Sequence, residues 1–257
     1  MTVPQEVCAD YLSAVDKHAP GLVQGLYLVG SVALGDFRPG PSDVDFVAVT
    51  EQPVDPDIVR TVHAEVTRRH RRPYFDGLYV TWAELARDPR EAPPGVDVHG
   101  HRVRTGSRAE RHPVTWHTLD QCGVVLRGPD KPDVWTDKDG LAESVRANLR
   151  SYWRGWHTAA SRPVSRTAAA TLIGWGPVWV VLGVSRLRYT LATGAITSKT
   201  GAGVYAREVF PERWHRIIDE CLRIRRGAAG PSRYRSRIAR RRDTLDFLDF
   251  VVDDSLV

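Results

Sequence analysis

The spacing of hydrophobic residues predicts alternating strands and helices in the first half of the chain. Short apolar segments rich in β-branched and aromatic residues predict strands over 22–29, 44–49 and 74–82. Hydrophobic residues at helical spacing predict an opening helix over 5–17, and residues 55–69 fit a crossover helix between the last two strands. Alternation of this kind is typical of an α/β domain.

After residue 130 the pattern becomes helical. Five segments carry hydrophobic residues at helical spacing, namely 141–159, 165–175, 178–193, 203–226 and 232–252. We therefore predict an N-terminal α/β domain with a mixed β-sheet over residues 1–132, followed by an all-α helical bundle over residues 133–257.

Residues 89–113 interrupt the α/β pattern, because they are rich in Pro, Gly, Arg and His and lack apolar periodicity. This composition predicts a long loop with one strand near 96–103, and the loop is a candidate rim for a substrate. Three acidic residues in or beside it, Asp76, Glu91 and Asp97, are candidates for a locally acidic pocket. The pair His99 and His101 has no further ligand at metal spacing and is interpreted as two loop histidines.

Composition and charge narrow the classes of protein. Three scattered cysteines indicate reduced thiols and a cytoplasmic protein, and the longest apolar stretch, 171–184, is too short for a membrane span. Lys and Arg exceed Asp and Glu by 36 to 31, which suits a polyphosphate ligand but does not demand nucleic acid. The basic run 237–242 is interpreted as a solvated helix face.

A Gly-Ser pair follows the first predicted strand. Gly30 has no side chain, so its backbone allows a phosphate to approach closely, and the Ser31 hydroxyl adds a donor. Asp43 and Asp45 follow after an eleven-residue spacer. Two residues apart on a predicted strand, their carboxylates are expected on one face. Paired carboxylates suit Mg²⁺, which completes its coordination with phosphate oxygens and water.

Asp76 is an isolated acid among the apolar residues of the third predicted strand. A carboxylate in such surroundings needs a partner or a chemical role. We interpret Asp76 as the general base, with a third metal ligand as the alternative.

These motifs resemble the nucleotidyltransferase superfamily over about residues 20–82, where Gly-Ser, a spacer and Asp-x-Asp on a strand recur. The remainder is similar to one branch of it, the streptomycin and spectinomycin adenylyltransferases. That similarity is carried by Val184–Leu187 with Tyr189, by Thr193–Lys199 and by Gly123–Pro129.

The resemblance implies binding of ATP with Mg²⁺. Ser31 and Ser42 would contact the ATP phosphates, Asp43 and Asp45 would bind the metal, and Lys199 would reach the phosphates across a domain cleft. Asp76 would stand where the family has a catalytic glutamate. The family also has acidic and histidine residues that grip the aminoglycoside, and this chain has Gly176 and Trp179 there.

The predicted function is transfer of AMP from ATP to a hydroxyl of an aminoglycoside-like small molecule, with release of pyrophosphate and a link to antibiotic resistance. The expected partners are ATP and the small-molecule acceptor, without a membrane or nucleic acid. Two alternatives stay open. The same fold could modify a protein or RNA acceptor, or the chain could be a nucleotide-binding module without catalysis.

Overall fold

The computed structural model describes residues 2–162 and 165–256. Contacts divide the chain into two compact units, Met1–Asp137 and Lys138–Val257. An α/β unit with a mixed sheet is followed by a helical unit, so the predicted fold class is confirmed. The predicted boundary between residues 132 and 133 stays a prediction about the domains.

A six-stranded sheet forms the centre of the first unit, in the order β5-β4-β3-β2-β1-β6. Its strands are β1 Gly25–Val29, β2 Val44–Thr50, β3 Phe75–Thr81, β4 Gly95–His99, β5 Arg102–Ser107 and β6 Val124–Arg127. The β2–β3 pair is parallel, whereas the other pairs are antiparallel. The sheet is therefore mixed.

Helices of the first unit are α1 Val3–His18, α2 Gly30–Ala33, α3 Pro56–Arg69, α4 Trp82–Leu85 and α5 Pro113–Cys122. The predicted crossover helix is α3, and it provides the long connection that parallel strands need. Asp55 caps it by accepting a hydrogen bond from the Asp57 amide.

Both faces of the central strand β2 are buried. Val44, Phe46 and Ala48 pack into a core that also includes α1 and α3, whereas Val47 and Val49 pack on the opposite face. Strand β2 therefore reads as a nearly continuous hydrophobic run, because successive side chains enter different cores. Asp45 shares the face of Val47 and Val49.

The predicted long loop over 89–113 is corrected by the structure. It contains a hairpin, in which β4 and β5 are joined by a tight turn at Gly100 and His101, both with positive φ. Strand β5 lies at the edge of the sheet and much of it is exposed. An exposed edge strand lacks a hydrophobic face, so apolar periodicity did not reveal it.

The second unit is helical. Its α-helices are α6 Lys138–Asn148, α7 Arg154–Ser161, α8 Arg166–Leu172, α9 Trp175–Thr193, α10 Lys199–Val209, α11 His215–Arg225 and α12 Arg237–Leu256. A π-helical segment, Leu149–Trp153, separates α6 from α7. The prediction of one helix over 203–226 is wrong. Helix α10 ends at Val209, and Phe210 and Pro211 separate it from the helical residues that follow.

The basic run over 237–242 begins α12, and its interpretation as a solvated face is only partly right. Arg240 is buried, donates to the Leu172 carbonyl and lies 3.6 Å from Glu220. Arg241 donates to the Ala160 carbonyl. Two guanidinium groups of the basic run therefore stabilise helix packing in the second unit.

Among the described residues, no single helix is long and apolar enough to cross a membrane, although α8 and α9, bent by 94°, pass that test when taken together.

Candidate active site

Strand β1 ends at Val29 and the short helix α2 begins at Gly30, whose φ of +59° favours glycine. Val29 is the register partner of Asp45. A Cβ added to Gly30 would lie 2.1 Å from Asp45 Oδ2. The turn therefore leaves room for the Asp45 carboxylate directly beside the backbone of Gly30.

Asp43 lies just before β2, which begins at Val44, so it is not on the strand as predicted. Strand alternation therefore gives the face of the Asp45 side chain only, and it does not place the two carboxylates on one face. The Asp43 carbonyl accepts a hydrogen bond from Ser31 Oγ at 3.4 Å. Its carboxylate is half-exposed and lies 3.5 Å from Arg72 Nη1.

Asp76 lies beside Asp45 in the parallel β2–β3 pair. It is buried, and the Gly100 amide donates to both of its carboxylate oxygens, at 2.9 and 3.1 Å. His99 Nδ1 lies 3.2 Å from Asp76 Oδ2. Strand pairing therefore brings Asp76 to the same end of the central strands as the Gly30 turn and Asp45.

The pKa of the Asp76 carboxyl is raised above its usual value. Burial is the main cause, because it disfavours the charged form, and the negative charge of Asp43 adds to the rise. The Gly100 amide and the charges of His99 and His101 oppose it. A carboxylate with a raised pKa is a better proton acceptor near neutral pH than an ordinary aspartate.

Two other predicted site residues, Ser42 and Lys199, have contacts within their own units. The Ser42 hydroxyl is buried and accepts a hydrogen bond from the Arg38 amide at 3.0 Å, which closes the loop before Asp43. Lys199 is the first residue of α10 in the second unit, and its Nζ lies 5.3 Å from the ring centroid of Trp179.

Within residues 2–162 and 165–256, no group of three or more His, Cys, Asp or Glu side chains is arranged to hold a metal ion. Mg²⁺ does not need such a group, because it commonly takes one or two carboxylates together with substrate phosphates and water. The hard oxygens of Asp43 and Asp45 fit this requirement. The Asp43 carboxylate pairs with a cationic group of the chain itself, the Arg72 guanidinium.

Sequence reasoning missed two partners of Asp76, which are His99 and Gly100. His99 ends β4 and Gly100 begins the hairpin turn, in a segment predicted as a long loop with one strand near 96–103. The Gly in His-Gly-His is a turn signal that could have located the hairpin, but it gives no cross-strand partner. Asp97, a candidate for the acidic pocket, is buried and paired with Arg104 at 2.5 Å, so it is not available to a ligand.

Comparison with known families gives two matches. Residues 8–80 match the family of the nucleotidyltransferase domain, and residues 159–244 match the C-terminal domain of aminoglycoside adenylyltransferases. The first match contains Gly30, Ser31, Ser42, the Asp pair and Asp76, and the second contains Lys199. No curated protein matches the chain.

Among solved structures, the chain is similar to spectinomycin adenyltransferase AAD(9) from Enterococcus faecialis, which was crystallised with ATP and spectinomycin. The two share 14% sequence identity with a TM-score of 0.60, over 97% of this chain and 99% of that one. This likeness shows a shared fold across both units. Together with the two family matches, it identifies the chain as an aminoglycoside adenylyltransferase-like nucleotidyltransferase, and thus as an enzyme.

Proposed function

We propose that this protein transfers AMP from ATP to a hydroxyl group of an aminoglycoside-like small molecule, with Mg²⁺ bound and pyrophosphate released. The observation that carries the proposal is the position of Asp45, which lies between the Gly30 turn on one side and Asp76 on the other. A metal-binding acid, a phosphate-binding turn and a proton acceptor are the three parts that nucleotidyl transfer requires.

In this proposal Asp43 and Asp45 hold Mg²⁺ on the triphosphate. The metal, when bound, neutralises phosphate charge and so aids departure of pyrophosphate. The backbone at Gly30 and the hydroxyl of Ser31 bind phosphate oxygens, and Ser42 keeps the loop before Asp43 closed or contacts a phosphate itself. Lys199 is proposed as a further cationic contact to the phosphates.

Asp76 is proposed as the general base that takes the proton from the acceptor hydroxyl. Its two oxygens already accept hydrogen bonds from Gly100, and one of them lies next to His99. The raised pKa of its carboxyl supports the role of a base, and a third metal ligand stays the alternative.

The proposed acceptor follows from the C-terminal family match and from the relative crystallised with spectinomycin. An RNA acceptor has less support. The basic run that favoured it supplies Arg240 and Arg241 to contacts inside the helical unit. A polycationic drug needs acidic contacts, and the exposed Glu91 stays a candidate for one of them.

The test is pyrophosphate release with Mg·ATP against a panel of streptomycin, spectinomycin and other aminoglycosides. We expect turnover with at least one of them, and a loss of about 100-fold or more in Asp43→Asn and Asp45→Asn. Asp57→Asn, an exposed substitution on α3, is the matched control and should keep full activity.

Two outcomes would contradict the proposal in different ways. If the Asp43 and Asp45 variants matched the wild type, the assigned metal site would be wrong. If every drug were inert while RNA or a protein was adenylylated, the acceptor class would be wrong. ATP binding without turnover on any acceptor would favour the non-catalytic alternative.

A further inference from the structure

Three polar side chains lie in one row across neighbouring strands of the first unit. Asp45 on β2 is the register partner of Asp76 on β3. Strand β4 pairs antiparallel with β3 through Gly77 and Val98, so the next residue along, His99, comes beside Asp76. Side chains opposite each other on adjacent strands share a face of the sheet. The row therefore continues from the proposed metal ligand through the proposed base to a histidine.

His99 and Asp76 differ sharply in exposure. The His99 side chain is 70% exposed, whereas that of Asp76 is 9% exposed. The imidazole Nδ1 lies 3.2 Å from Asp76 Oδ2. The exposed imidazole therefore lies next to a buried carboxylate and is itself accessible to solvent.

The Gly100 amide alone does not select one oxygen of Asp76, because it donates to both at nearly equal distances. His99 Nδ1, 3.2 Å from Oδ2, would remove this symmetry by donating a proton to that oxygen. With Oδ2 engaged by the imidazole, Oδ1 is the oxygen with more free lone-pair capacity. The last residue of β4 and the first residue of the turn thus both contact the carboxylate, His99 at one oxygen and Gly100 at both.

We propose that His99 is a positioning residue for Asp76, which orients the carboxylate so that one oxygen faces the acceptor hydroxyl. This inference rests on the proposed function, in which Asp76 is the base. Aspartate is one methylene shorter than glutamate, so its reach depends more on how it is held. A misplacement of about 1 Å at a reacting group is enough to lower a rate about 100-fold.

The experiment compares His99→Ala and His99→Asn in steady-state pyrophosphate release, with the drug that the wild-type enzyme uses. The amide nitrogen of asparagine can take the place of Nδ1 as a donor, but it cannot act as an imidazole. We expect His99→Ala to lower kcat about tenfold or more while KM for Mg·ATP stays within about twofold. His99→Asn should recover most of the lost kcat.

Arg102→Ala is the matched control, because Arg102 is an exposed residue opposite His99 in the same hairpin and does not contact Asp76 through any described hydrogen bond or ion pair. It should keep wild-type kcat. Thermal unfolding of all three variants checks the fold. The Gly100 bond that ties the turn to Asp76 involves no His99 atom, so the melting temperatures should agree.

Wild-type kcat in His99→Ala would overturn the inference. An equal loss in the alanine and asparagine variants would also overturn it, since a donor would then not be what matters. If the wild-type enzyme shows no turnover with any acceptor, the proposed function fails first and this role for His99 fails with it. Turnover in the wild type separates the two failures.

Discussion

Replacing Gly30 by alanine tests the position of the Asp45 carboxylate more directly than replacing Asp45 itself. The substitution changes two things. It places a side chain on a residue with φ of +59°, and it puts a methyl group 2.1 Å from Asp45 Oδ2 and 2.9 Å from Asp45 Cγ. The first change affects stability through the backbone, and the second displaces a proposed metal ligand.

The two effects have different sizes. Left-handed backbone at an L-residue costs about 1–2 kcal/mol of unfolding free energy. To reach ordinary van der Waals contact, the distance to Oδ2 must grow from 2.1 Å to at least 3.4 Å, a shift of more than 1 Å. The Asp45 side chain is only partly buried, so it can turn away without breaking the core. Stability should therefore fall by about 1–2 kcal/mol and activity about 100-fold.

Gly35→Ala is the matched control, because Gly35 has a φ of +63° and nothing within 4 Å of an added Cβ. It carries the same backbone penalty without the contact. Urea unfolding should give similar losses for both variants, of about 1–2 kcal/mol. Pyrophosphate release, and Mg²⁺-dependent binding of ATP by calorimetry, should fall in Gly30→Ala alone.

Equal activity of Gly30→Ala and Gly35→Ala would contradict this prediction. In that case the Asp45 carboxylate either does not bind the metal or does not lie beside Gly30. A loss of stability several kcal/mol larger in Gly30→Ala would show instead that Asp45 cannot rotate and that the turn is rigid.

Three further predictions concern single groups. Asp76→Asn should lower pyrophosphate release about 100-fold or more without changing calorimetric ATP binding, because an amide cannot take a proton. Burial raises the pKa of Glu220, but hydrogen bonds from Arg223, Ser232 and the 233 amide outweigh it and lower the pKa from 4.5 to about 2. The stability that this carboxylate contributes is present above its unfolded pKa and is lost as pH falls toward about 2. Glu220→Gln should therefore flatten the fall of unfolding free energy below about pH 4.5, as urea titrations would show. Lys199→Met should raise KM for ATP about tenfold, because it removes the proposed ammonium contact to a phosphate. The kcat with the same drug should stay unchanged, and an unchanged KM would contradict the contact.

The parts of the fold that the sequence predicts well are those with a regular hydrophobic pattern. Helices α1 and α3 each present one apolar face to the sheet, and β1, β2 and β3 are buried on both faces. Helix α5 was missed because its pattern is irregular. Polar side chains such as Thr115, His117 and Thr118 are buried in it, so it lacks a clean apolar stripe.

The candidate site also has residues that the sequence predicts and partners that it does not. Gly30, Ser31 and the Asp pair are separated by short stretches of chain, so their spacing already indicates a shared function. Asp76 was a candidate because an acid among buried residues needs a partner. Its partners could not be predicted, since a strand pattern says which residues alternate but not which strand lies alongside.

His99 shows what the missing information is. Its place beside Asp76 depends on the register of β4 against β3, and a shift of one residue would move it to the opposite face of the sheet. That register is fixed by contacts far apart in the chain, among them the hydrogen bonds from Gly100 to Asp76. The carboxylate that we propose as the base therefore also anchors the turn that brings His99 to it. Because Asp76→Asn keeps an oxygen for Gly100 but cannot act as a base, it should leave the hairpin intact and remove turnover, which separates the two roles of one residue.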